Sequence, residues 1–229
     1  MFSKVFLAMT AGEMKELSAE RIAYMALHFS LYNAGLSNPP QSLQKDSILL
    51  LDDSMQITHH DPQLVVQQLN ELIGRFSVSA LLLDFQRQAS ASAEAMVATI
   101  LQELPCPVAA TEAYAKKLSC PVFLAPPPVN QLLSDYLSPW LKQGVYLEIA
   151  PQFLRITVTE NGSVQSQIPP VDNLPLEDKR LHCHYNVEVL PNQVAFTMGR
   201  YKTDLLQLVQ EAEQLGVLGC VGLYGELQK

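Results

Sequence analysis

A compact (β/α)8 TIM-type barrel, irregular, with a β-hairpin inserted near 153–168, is the fold this sequence predicts. Short apolar runs alternate with helical patterns along most of the chain, about eight of the first and six of the second. Such alternation builds a parallel sheet with helical crossovers. That many strands within 229 residues fit one closed barrel with some helices shortened or lost. One stretch leaves the rhythm: apolar and polar residues alternate on both sides of Asn161-Gly162, a strong hairpin signal. The whole chain, 1–229, is read as a single domain. An open doubly wound sheet is the runner-up. No glycine-rich turn follows the first strand and no P-loop appears, so the usual nucleotide-binding turns find no support.

Taken in order, 5–9 is a first strand, turned by Thr10-Ala11-Gly12. Residues 18–36 are read as a helix, with Ser18 as N-cap and Ile22, Met25, Ala26, Phe29 and Tyr32 at helical spacing. Residues 47–51 form a second strand, apolar throughout, which suits burial on both faces. Asp61-Pro62 opens a helix with a carboxylate cap and a proline at its first position. The third strand is 79–84, and its helix begins near 90–92. A fourth strand (108–110), a short helix (112–118), a fifth strand (121–125) and a helix over 130–142 follow. The sixth strand is 145–149. After the hairpin and a loop rich in Pro, Asp and Asn, 182–189 and 193–198 look extended, and one of them is expected to be the seventh core strand. A helix at 202–215, closed by Gly216, leads to a final strand at 217–223.

Hydrophobic residues make up 48% of the chain and charged residues 17%, enough for a sizeable core and against disorder. The net charge of -8 comes without a basic stripe, which argues against nucleic acid as a partner. Cys106, Cys120, Cys183 and Cys220 are far apart and sit in or beside apolar runs, as reduced core thiols do. The apolar N-terminal run is too short for a signal peptide, and no stretch reaches the roughly 18 residues of a membrane span. A cytoplasmic protein without a membrane association or cofactor is expected.

The chemistry is sought at strand carboxyl ends, where parallel α/β proteins keep their sites. Ser79-Ala-Leu-Leu-Leu-Asp-Phe-Gln86 is an apolar strand ending in a carboxylate and an amide at alternate positions. This stretch, with the helical pattern that follows it to residue 104, resembles family 18 glycoside hydrolases, the chitinase-like barrels. That family carries Asp-Gly-x-Asp-x-Asp-x-Glu on one barrel strand. Laid on this chain, the pattern falls on Ser79, Ala80, Leu82, Asp84 and Gln86, on the third strand by the present count rather than the fourth. The resemblance implies that Asp84 stands where the family positions the substrate acetamido group. Gln86 stands where the family has its general acid, and an amide has no proton to give in the working range. The implied protein is a carbohydrate-binding barrel for an oligosaccharide or other small ligand, inactive or weakly active: a pseudoenzyme.

Other strand ends supply further candidates. Glu148 interrupts Val-Tyr-Leu-Glu-Ile, and a carboxylate there must be paired, protonated or facing a cavity. Asp52 and Asp53 end the second strand, where turn chemistry is the competing explanation. Tyr185, Arg200 and Tyr224 are candidate ligand contacts at the barrel mouth. Glu112 suits the first turn of a helix. His182 and His184 would share one side of a strand, half of a metal site, but spacing supplies no further ligands; no metal is expected. His59-His60 reads as polar loop, and Lys116-Lys117 as solvated surface. Two further functions compete with the sugar cleft. One is a barrel lyase or isomerase using Glu148 with Asp84 or Asp52 as an acid–base pair. The other is a non-catalytic interaction protein that becomes a homodimer by pairing the hairpin edge.

Overall fold

The structure is a computed structural model and describes residues 5–10, 12–16, 25–32, 35–37, 39–53, 61–87 and 90–228. In chain order it runs β1 (Val5–Met9), a turn of 3-10 helix (Glu13–Glu16), β2 (Met25–Tyr32), β3 (Gly35–Ser37), β4 (Ser47–Asp52), α1 (Pro62–Arg75), β5 (Val78–Asp84), α2 (Ala91–Glu103), β6 (Val108–Thr111) and α3 (Glu112–Leu118). Then come β7 (Val122–Leu124), α4 (Leu133–Leu137), β8 (Val145–Glu148), β9 (Gln152–Thr159), β10 (Gly162–Gln167), β11 (Leu176–Asp178), β12 (Cys183–Leu190), β13 (Gln193–Arg200), α5 (Lys202–Gln214), β14 (Gly219–Leu223) and α6 (Tyr224–Gln228).

Parallel pairings run β1–β2–β4–β5–β6–β7–β8–β14 and return to β1, so the sheet rolls into an α/β barrel of the TIM type. Successive side chains on a strand point to opposite faces, and here the two faces have separate cores. Leu49, Leu51, Leu81, Leu83, Val145 and Leu147 pack outward against the helices. Ile48, Leu50, Ala80, Leu82, Phe123 and Tyr146 fill the barrel interior. Helix starts follow local chemistry: Asp61 accepts a hydrogen bond from the Gln63 N–H at 3.0 Å, and Ser90 from the Ala93 N–H at 3.2 Å. Val65, Leu69 and Leu72 on α1, and Met96, Val97 and Ile100 on α2, form the buried stripes. Among the described residues no helix is long and apolar enough to cross a membrane.

Three expectations are corrected. The segment read as a helix over 18–36 contains β2, paired in parallel with β1 and β4, and the short β3, antiparallel to β2. Residues 18–24 and 33–34 lie outside the described residues. The sequence there satisfies two periods at once: Met25, Leu27, Phe29 and Leu31 also recur every second residue. Pairing partners on both sides decide in favour of the strand. Counting β2 makes β5 the fourth strand of the ring.

The seventh core strand expected within 182–198 is absent from the barrel. β12 and β13 instead join the hairpin β9–β10 and the short β11 in an antiparallel sheet of order β10-β9-β13-β12-β11, inserted between β8 and α5. The predicted hairpin is therefore one edge of a larger insertion. Finally, the helix expected over 130–142 is only α4, five residues long, continued by turns. Pro139 supplies no backbone donor at that point.

Candidate functional site

The inward-facing set of each strand continues into polar residues at the carboxyl ends. After Ile48 and Leu50 comes Asp52; after Ala80 and Leu82 comes Asp84; after Tyr146 comes Glu148. Asp52 and Asp84 are in register on adjacent strands. A cavity of about 340 Å³ opens there, lined by Asp52, Asp53, Asp84, Gln86, Arg87 and Glu148, with Leu50, Phe123, Val221 and Leu223 as its apolar wall. Gln86 donates from its side-chain nitrogen to the Asp84 carboxylate.

Two further depressions share residues with the first. One, of about 410 Å³, includes Gln86, Arg87 and Phe123 and adds Thr111, Glu112, Lys116 and Tyr136. The other, of about 570 Å³, includes Glu148 and is bounded by Leu154, Gln165 and Gln167 of the inserted sheet. Each shares lining residues with the central cavity, and the two share Ala125 with each other, so the three adjoin as one grooved face at the barrel's carboxyl end.

The loop after β5 is clamped from both sides. Asp53 is 3% exposed, and its two oxygens accept the Gln86 N–H at 3.0 Å and the Arg87 N–H at 3.1 Å. Thr111 on β6 donates its hydroxyl to the Phe85 carbonyl at 2.9 Å. Burial pushes the Asp53 carboxyl above the usual carboxylate range, against those two N–H groups and the Arg87 charge. The Tyr136 hydroxyl donates to the Ala125 carbonyl at 3.0 Å, and its phenol is pushed up to about 12, first by burial and then by the fields of Glu112 and Glu148. Sequence reasoning missed Arg87, Phe123 and Tyr136 as groove residues. Phe123 alternates correctly with its strand neighbours and was legible by parity; Arg87 and Tyr136 reach the groove from a loop and a helix, where no period marks them.

The remaining candidates lie elsewhere. Arg200 is 1% exposed and cannot meet a ligand at the barrel mouth: its guanidinium donates to the carbonyls of Leu181, Pro127 and Pro128, tying the inserted sheet to the loop after β7. Tyr185 stands on β12 between Met198 and Leu176, packed on the inserted sheet's own small core. Tyr224 begins α6 and packs on the outer core. His182 and His184 do not share a strand face, because His182 has φ +48° and β12 starts only at Cys183. His182 lies 2.5 Å from Glu211 and His184 3.2 Å from Asp204, at different turns of α5. No group of His, Cys, Asp or Glu among the described residues could hold a metal. His59 and His60 lie outside the described residues. All four cysteines are free thiols, each pushed up by burial.

No protein-family model matches the sequence, and no curated protein does. Solved structures match along nearly its whole length. A glycoside hydrolase family 18 N-acetylglucosaminidase from Paenibacillus barengoltzii aligns with a TM-score of 0.56 at 9% identity, over 98% of this chain and 97% of that one. A chitinase-like agglutinin from Robinia pseudoacacia aligns at 0.58 and 12%, over 97% and 95%. A family 18 chitinase from Cycas revoluta, in complex with (GlcNAc)3, aligns at 0.55 and 11%, over 96% and 94%. Identities this low speak for the backbone and not for the chemistry: the chain has the α/β-barrel fold of family 18 chitinases and chitinase-like proteins.

Proposed function

We propose that the groove binds an oligosaccharide of the N-acetylglucosamine type and cleaves it poorly or not at all. One observation carries the reading. Asp84, the last residue of β5, and Gln86, two residues on, which fall on the family motif, line one open cavity at the strand carboxyl ends and hydrogen-bond each other. Glycosidic cleavage needs a group that protonates the leaving oxygen and later takes a proton back. An amide offers a donor and an acceptor for a sugar but no such proton. Three adjoining depressions offer room for more than one sugar. Structures of this fold include family 18 enzymes and an agglutinin, and a doubly substituted Cycas revoluta chitinase with one Glu changed to Gln is seen with (GlcNAc)4. Calorimetric titration with N-acetylglucosamine oligomers, with product analysis on the same sample, tests the reading. Saturable heat without cleavage is expected; no heat at millimolar ligand would sink it.

A second reading has its own support. Asp52, Asp84 and Glu148 line the same cavity, which supplies the two carboxylates that a barrel lyase or isomerase would use as acid and base. A small-molecule turnover abolished by Glu148→Gln, with oligosaccharide binding absent, would decide for it.

A further inference from the structure

The groove is electrically uneven along its length. Its central cavity brings Asp52, Asp53, Asp84 and Glu148 together against a single cation, Arg87. The depression beside it, toward α3, is less acidic: it shares Arg87 with the central cavity and adds Lys116 against one carboxylate, Glu112. The two lysines of α3 differ in their engagement. Lys117 is paired with Glu94 on α2, outside the groove. The Lys116 side chain has no such partner among the described residues; the residue is exposed and lines the depression. The depression is otherwise bounded by Phe123, Tyr136 and Thr111, surfaces against which a sugar ring can lie.

We propose that this α3 flank of the groove takes an anionic substituent, a carboxylate carried by the sugar next to the one in the central cavity. The inference rests on the oligosaccharide reading given above and narrows it to a class: N-acylated oligosaccharides bearing acidic side groups. A neutral N-acetyl sugar suits the centre, where added negative charge would meet like charges. The same charge placed one sugar along meets Arg87 and Lys116. Attraction of this kind at exposed cations is modest and is screened over a Debye length of about 8 Å at physiological salt.

The test compares a neutral N-acetylglucosamine tetramer with the same tetramer carboxymethylated on its hydroxyls, titrated into the full chain by calorimetry. The acidic ligand binds about fivefold more tightly at low ionic strength, the upper end for exposed ion pairs. The advantage disappears in molar salt. In Lys116→Gln the ratio of the two affinities falls by about half or more, Arg87 remaining; in Lys117→Gln, where the lost cation is paired outside the groove, the ratio stays. Equal or weaker binding of the acidic tetramer, with the neutral one bound, overturns this inference and leaves the oligosaccharide groove standing. Binding of neither tetramer overturns the groove reading, and this inference with it.

Discussion

Replacing Asp53 by Asn tests the central structural claim, that one buried carboxylate holds the β5–α2 loop in place. The two side chains have the same shape, but Asn has a single oxygen. Of the two N–H groups now accepted at 3.0 and 3.1 Å, one keeps its partner and the other faces an amide nitrogen. A hydrogen bond to a charged group contributes about 1.5–3 kcal/mol, and removing a buried charge returns part of that loss. The expected net destabilisation at pH 7 is about 2 kcal/mol, or a fall in Tm of about 4–8 °C for a chain of this length. Urea unfolding read by the lone tryptophan, Trp140, gives the global number. Hydrogen exchange at the amides of Gln86 and Arg87 gives the local one, and protection should fall there first.

The pH dependence adds a sign. Burial raises the folded-state pKa of Asp53 above its ordinary value, so the folded protein holds this proton more tightly than the unfolded chain. Its linkage contribution is therefore fully present below the unfolded pKa and is lost as pH rises through the folded one. Asn does not titrate. The stability gap between wild type and Asp53→Asn should thus widen on acidification from neutral pH toward the ordinary carboxylate value. A gap that narrows would show the two N–H bonds outweighing burial and would reverse the sign argued here; a variant with unchanged stability and unchanged protection at Gln86 and Arg87 would refute the clamp.

Other outcomes follow from the same geometry. Arg200→Met strands three carbonyls that now receive the guanidinium, and at about 1–3 kcal/mol for each buried unpaired group the chain should lose roughly 3–9 kcal/mol in urea unfolding. Ser90→Ala removes the cap of α2 and should cost about 1 kcal/mol by the same assay. Gln86→Glu places a titratable group against Asp84 in the cavity, and slow release of shorter oligomers from an N-acetylglucosamine tetramer is the expected gain by chromatography. Intact tetramer after prolonged incubation of a folded variant would separate this cavity from glycosidic cleavage altogether.

The groove's carboxylates were legible because strand parity is a strict rule. Once 79–84 is a strand with Leu82 inward, Asp84 must follow on the same side, and the same holds for Asp52 and Glu148 on their strands. What parity could not supply was the number of strands ahead of them. Met25, Leu27, Phe29 and Leu31 carry the period of a strand within a segment that also carries the period of a helix, and only pairing with β1 and β4 separates the two. Arg200 and Tyr185 were placed wrongly for a related reason. Both belong to strands expected to serve the barrel that instead serve the inserted sheet, where Arg200 is consumed by backbone carbonyls. Asp53 resembled ordinary turn chemistry. Its partners lie more than thirty positions away, and no local pattern marks such a contact.

The shared fold does not by itself choose between catalysis and recognition, since an agglutinin and hydrolases have it alike. The choice rests on the side chains at the strand ends. There the conformation of Gln86 is heavily determined: its backbone N–H is fixed by Asp53, the carbonyl before it by Thr111, and its side chain by Asp84. A glutamine held at three points is a preorganised hydrogen-bonding group, and preorganisation lowers the ordering cost of binding whether or not a reaction follows. Asp53 grips the backbone N–H groups of Gln86 and Arg87, so the clamp fixes the path of the loop whatever side chain it carries. Loss of oligosaccharide affinity in Asp53→Asn with the barrel still folded is the observation that would join the clamp to ligand binding.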